Sequence, residues 1–189
     1  MCGVLAAQER SQSEPFELNA DSLTINRQTN LLEAHRARIV RGNIRVEADE
    51  SVANGVDFEQ SSQWRFTGHV KITVDTAVLE ANSAVFMFDG KQLTRADLEG
   101  SPASFSDLAP TQQKPVRGGA RKLSYDNLAR TLELADDAFI NRGDAEYRSC
   151  GLIYDFNKKL VTSGPTDCGV RFVLPQKPKP KTPPAPPPQ

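Results

Sequence analysis

The sequence predicts an all-β protein, a β-jelly roll or short β-solenoid-like stack of bent antiparallel strands around an elongated apolar interior. Three observations carry this expectation. Apolar residues alternate with polar ones at period two, turn residues recur between the alternating runs, and a degenerate repeat spaces both.

Taken in chain order, residues 1–14 are polar apart from the short run Val4-Leu5-Ala6-Ala7. That run reads either as the end of a signal peptide around its small-residue cleavage site or as a disordered N-terminus. Residues 15–174 carry the alternation: Ile44-Arg-Val46-Glu-Ala48, Val70-Lys-Ile72-Thr-Val74, Leu132-Glu-Leu134 and Val170-Arg-Phe172. Each places one strand face on a core and the other in water. Asn54-Gly55, Asp89-Gly90, Asp126-Asn127 and Ser163-Gly164-Pro165 mark turns between them. The last segment, 175–189, is dominated by proline. Lacking N–H donors, it joins neither ladder nor helix and is expected as a disordered, extended tail.

The repeat appears when Glu17, Glu47, Glu80, Arg117 and Glu146 are aligned, at spacings of 30, 33, 37 and 29 residues. Flanking each anchor are small or apolar residues: Phe16 and Leu18, Val46 and Ala48, Leu79 and Ala81, Val116 and Gly118, Ala145 and Tyr147. Six and eight positions later come Leu23 and Ile25, Ala53 and Gly55, Phe86 and Phe88, Leu123 and Tyr125, Leu152 and Tyr154. Asn26, Asp89, Asp126 and Asp155 follow at nine; the second copy is weakest, with Val56 there and Asp57 next. The offset between the two apolar pairs is odd. A bend or bulge inside each strand must therefore bring both pairs to one core. One unit cannot bury its apolar side alone, whereas stacked units bury a continuous one.

Composition removes several function classes. Lys+Arg total 23 and Asp+Glu total 24, so no field draws in nucleic acid. No apolar run approaches the roughly 18–20 residues of a membrane helix. The two histidines, His35 and His69, and the lack of a CxxC pair argue against zinc. No nucleophile motif, metalloprotease motif, P-loop or dinucleotide fingerprint is present, and Asp136-Asp137 reads as a solvated turn, so the chain is read as non-enzymatic with no cofactor. Cys2 would leave with a signal peptide. Cys150 and Cys168 then form one disulfide in an oxidising compartment or stay as two partly buried thiols.

Several stretches resemble the OstA/LptA family of lipopolysaccharide-export proteins. They are Glu17-Leu-Asn-Ala-Asp-Ser-Leu-Thr-Ile25, Gly68-His-Val-Lys-Ile72, Glu80-Ala-Asn-Ser, Gly100-Ser-Pro-Ala-Ser-Phe105, Lys114-Pro-Val-Arg-Gly-Gly-Ala120, Lys122-Leu-Ser-Tyr-Asp126 and Leu152-Ile-Tyr-Asp155. Their order and spacing over residues 16–174 carry the resemblance more than any one motif does. It implies a periplasmic β-jelly roll with a greasy groove that binds lipopolysaccharide acyl chains. It also implies partners: the related jelly-roll domains of the inner-membrane-anchored and outer-membrane export components, and further copies of the chain stacked end to end. The implied lipid-facing residues are Phe16, Leu18, Phe105, Leu123 and Tyr125, joined through repeat symmetry by Phe86, Phe88, Leu152 and Tyr154, about half of them expected as sealed core. The free edges for stacking are expected near residues 16–25 and 168–174, with the proline tail capping the second. Two departures stand out: an apparent extra repeat from Ile44 to Trp64, and the Cys150/Cys168 pair. The rival reading is a non-catalytic adaptor or structural β-module related to the anchored component.

Overall fold

Alternation becomes strand throughout the computed structural model, which describes residues 16–55, 61–90, 92–108, 114–164 and 168–174. The N-terminal segment 1–14 and the proline tail 175–189 lie outside the described residues, as does the proposed capping role of that tail. Twelve strands follow one another: β1 (Phe16–Asn19), β2 (Ser22–Asn26), β3 (Leu31–Arg41), β4 (Ile44–Asn54), β5 (Ser62–Val74), β6 (Ala77–Asp89), β7 (Gln92–Asp107), β8 (Val116–Asp126), β9 (Thr131–Arg142), β10 (Ala145–Asp155), β11 (Leu160–Ser163) and β12 (Arg171–Val173). Among the described residues there is no helix.

All twelve form one antiparallel sheet. From β3 to β10 it is a meander in which each strand pairs with its neighbours in sequence. Each end is covered by two short strands rather than one long one. β1 and β2 pair with opposite halves of β3, and β12 and β11 pair with opposite halves of β10. The repeat anchors fall on the broken strand β1–β2 and on β4, β6, β8 and β10, so the repeating unit is a β-hairpin.

The expected bends are present and aligned. Ladder registers shift between Glu47 and Glu50 on β4, Thr67 and Val70 on β5, Glu80 and Ser83 on β6, Glu99 and Ala103 on β7, and Gly119 and Lys122 on β8. Left-handed residues mark the same line: Arg36 on β3, Gly68 and His69 on β5, Asp136 and Asp137 on β9. Gly68 is required by space as well as by φ, because a Cβ there would overlap the Asp49 side chain. Asp136 and Asp137 therefore sit in a bulge inside β9, not at a turn between strands. Aspartate tolerates the left-handed region in both settings, so its presence does not distinguish them.

The bend line folds the sheet into two facing half-sheets with the core between them. One carries the β3–β4, β5–β6 and β9–β10 turns along its lip; the other carries the β2–β3, β6–β7, β8–β9 and β10–β11 turns. On β5, Trp64, Phe66, Val70 and Ile72 are buried while Gln63, Arg65 and Lys71 face water. The outer face alternates in charge from strand to strand, with Arg38, Glu47, Lys71 and Glu80 side by side.

Position nine of the repeat has a structural role. Asn26 Oδ1 accepts from the Gln28 and Thr29 amides, Asp126 Oδ1 from the Ala129 amide, and Asp155 Oδ1 from the Asn157 and Lys158 amides. Each is an Asx turn that reverses the chain in four residues. Each ends in a left-handed residue: Asn30, Arg130 or Lys159. Cys150, beside the β10 register shift, is joined to Cys168 in a disulfide with Cα atoms 5.9 Å apart.

Candidate functional site

Two apolar rows run across the inner surface from one edge of the molecule to the other. On one half-sheet the register carries a row from Leu18 and Ile39 through Ile72 and Phe105 to Tyr147 and Phe172. On the other it runs from Ile25 and Leu32 through Trp64 and Tyr125 to Tyr154 and Val161. The rows surface at both ends, where Ile25 and Phe172 are each about half exposed.

The interior is not uniform along its length. Toward the N-terminal end the lips stand apart over an open cleft of about 150 Å³. Its floor is an aromatic cluster. Phe16 meets Trp64 edge-on at 5.3 Å, Trp64 lies 6.2 Å from Phe88, and Phe66 lies 4.9 Å from Phe86. Ile39, Ile44, Val46 and Leu93 complete the apolar walls, and Arg41, Asn43, Gln92 and Asn127 form a polar rim.

Toward the C-terminal end the interior is sealed. Phe105, Tyr125, Tyr154 and Phe156 pack on one another with centroids 4.9–6.4 Å apart. Ala96 separates Tyr125 from Phe86 in the shared row. Gly118 leaves room for this cluster, since a Cβ there would overlap the Phe105 ring and the Phe139 carbonyl. Above it the lips are fastened by polar contacts. Asp107, 1% exposed, accepts from Lys159 Nζ at 2.6 Å, Thr76 Oγ1 at 2.7 Å and the Tyr154 hydroxyl at 2.9 Å. Arg130 pairs with Asp75 at 2.5 Å, and Asp75 also accepts from Asn43. Both cations are the left-handed last residues of Asx turns, so the turn chemistry of the repeat aims them across the seam.

The charges respond as their partners dictate. Burial pushes the Asp107 carboxyl up, but its three donors outweigh burial and hold it below the usual carboxylate range. Asp75 is lowered by the hydrogen bonds from Asn43 and Arg130. The Tyr154 phenol is pushed up by burial and by its hydrogen bond to Asp107, so it stays a donor. Burial likewise raises Tyr125. His35 pairs with Glu50 and His69 with Asp49, each at 2.7 Å on the outside of the sheet. Among the described residues no group of three or more His, Cys, Asp or Glu side chains is placed to hold a metal ion.

The structure sorts the nine sequence-derived lipid-facing residues. Phe16 and Phe88, both partly exposed, line the open cleft, and Phe86, 1% exposed, packs beneath them in its lining. Leu18 is half-buried against the core. Phe105, Leu123, Tyr125, Leu152 and Tyr154 are all 4% exposed or less and lie in the sealed part. The sequence reading missed Trp64, Phe66, Ile39 and Leu93, which sit on β3, β5 and β7, strands without a repeat anchor. Period-two alternation through Ser62–Phe66 was the signal that would have found the first two.

The sequence matches the LptA/(LptD N-terminal domain) LPS transport protein family over residues 45–160. Among solved structures it is similar to LptH from Pseudomonas aeruginosa, described as the LptA-homologous periplasmic component of the conserved lipopolysaccharide transport device. The two share 14% identity at a TM-score of 0.55, covering 86% of this chain and 96% of LptH, a likeness of fold. No curated protein sequence matches the chain. With the family match spanning more than half of the sequence, on a bent twelve-stranded sheet of the LptA-like jelly-roll kind, the chain belongs to the LptA/LptD N-terminal-domain family of lipopolysaccharide transport proteins.

Proposed function

We propose that the protein binds lipopolysaccharide acyl chains between its half-sheets and helps carry the lipid across the periplasm, from inner to outer membrane, as one element of a protein bridge. The observation that carries this reading is the apolar inner surface, which opens at a cleft over Phe16, Trp64 and Phe88 and surfaces at both ends of the sheet. An acyl chain gains roughly 0.8 kcal/mol per CH₂ removed from water. The open end of the cleft leaves the chain a way out.

The cleft as it stands is about as large as a cavity that holds one benzene-sized molecule. It takes a segment of one chain, and several chains need the lips to part. Exposed edge strands at both ends, β1–β2 and β11–β12, are suited to pairing with related domains or with another copy. The Cys150–Cys168 disulfide accords with an oxidising compartment such as the periplasm.

The test is photo-crosslinking in a Gram-negative host, with the photoreactive residue at Phe16 or Phe88 and at outward-facing Lys71 as control. The expected result is a lipopolysaccharide adduct at the first two and none at the third. Absence of an adduct at both cleft positions, in folded and exported protein, would transfer the reading to a non-catalytic adaptor.

A further inference from the structure

Three charged side chains share the row of strand ends along one lip: Arg41, Asp107 and Arg142, in register with Phe16, Ile44 and Val116. Two of them have partners across the seam. Asp107 is held by Lys159 and Tyr154, and Arg142 donates to the Lys159 carbonyl. The third differs. Arg41 is half-buried, lines the cleft beside Phe16, and its guanidinium has no hydrogen bond or ion pair among the described residues. A cation facing inward at an apolar cleft favours an anion that can lie against it, and a guanidinium suits phosphate or carboxylate oxygens with two parallel donors.

We infer that Arg41 is the head-group anchor of the cleft, which takes one anionic amphiphile with its phosphate-class head on Arg41 and its chain over Phe16, Trp64 and Phe88. This rests on the acyl-chain reading above and adds selectivity for charge to it. Charge complementarity selects the occupant. The cleft walls are apolar, the rim amides of Asn43, Gln92 and Asn127 bring polar groups but no net charge, and Arg41 is the charged member of the lining. A neutral amphiphile would fill the walls and leave Arg41 unmatched.

Trp64 supplies the readout, since it is the single tryptophan of the chain and lies in the cleft floor. Its emission is followed while the full chain is titrated with dodecyl phosphate, with a neutral dodecyl glycoside, and with inorganic phosphate alone. The phosphate amphiphile is expected to bind about tenfold more tightly than the glycoside, as charge-assisted hydrogen bonds would give. That ratio should shrink with added salt. It should fall to about one in Arg41→Gln and keep its direction in Arg41→Lys, with circular dichroism confirming that both variants fold. A wild-type ratio near one, or a ratio unchanged in Arg41→Gln, overturns the role of Arg41 while leaving chain binding intact. If neither amphiphile moves Trp64 emission, the acyl-chain reading falls and this inference falls with it. An equal affinity for inorganic phosphate overturns the amphiphile class in favour of a free-anion site.

Discussion

Among the described residues Asp107 is the charged side chain that the fold removes fully from water, and it sits where the two half-sheets meet. A buried carboxylate is tolerated only when its oxygens are matched, and here a lysine, a threonine and a tyrosine match them. Its folded pKa lies below the ordinary value, so the interaction stabilises the protein above the unfolded pKa of about 4 and is lost as pH falls through the folded value. Asp107→Asn keeps the shape and removes the charge. It should cost about 1–3 kcal/mol in urea melts at neutral pH. The gap to wild type should narrow as pH drops below about 4, and a gap that persists in acid would show that packing, not charge, holds the site. The exposed pairs of the outer face should matter far less; Arg38–Glu47, at 3.7 Å and about half exposed, belongs to a class worth about 0–1 kcal/mol.

Strands and turns account for most of what the sequence made legible. Alternation located the core faces, and position nine identified Asn26, Asp126 and Asp155, which the structure shows reversing the chain. The odd offset within each repeat required a bend inside the strand, and the aligned register shifts are that bend. Other features were hidden for physical reasons. Phe88 and Phe105 carry the same side chain at inward strand positions, yet one is partly exposed in the cleft and the other is sealed. The difference lies in the seam, where Lys159 reaches from the opposite lip to Asp107, two residues beyond Phe105 on its own strand, and closes the interior over Phe105. Arg41 was hidden because a charged residue on an inward face looks like any outward one until the left-handed Arg36 resets the register of β3. At the same scale, β12 pairs with β10 over three residues only, and the Cys150–Cys168 bond holds the segment just before it. Reduction, or Cys168→Ser, should lower stability by about 2–4 kcal/mol. Amide exchange should speed up in β12 while β4–β9 stay protected; loss of protection across the whole sheet would mean that the disulfide supports the core instead.

At the scale of the molecule, the interior is open at one end and fastened at the other, and the two ends of the sheet mirror each other with a pair of short strands each. A single meander of hairpins delivers this form because every long strand bends at the same level. That alignment has a mechanical consequence. Along the bend line the ladder is already interrupted on most strands, so a change in the angle between the half-sheets leaves the regular ladder bonds on either side intact. The molecule is then stiff along its strands and compliant about one axis, with the restoring force supplied by the lips. Hydrogen exchange at neutral pH should show this anisotropy as a narrow band of fast amides at residues 68–69, 100–101 and 136–137, between two well-protected halves. Like a sheet of card scored before folding, the protein has its direction of flexing set by where the backbone was left unbonded.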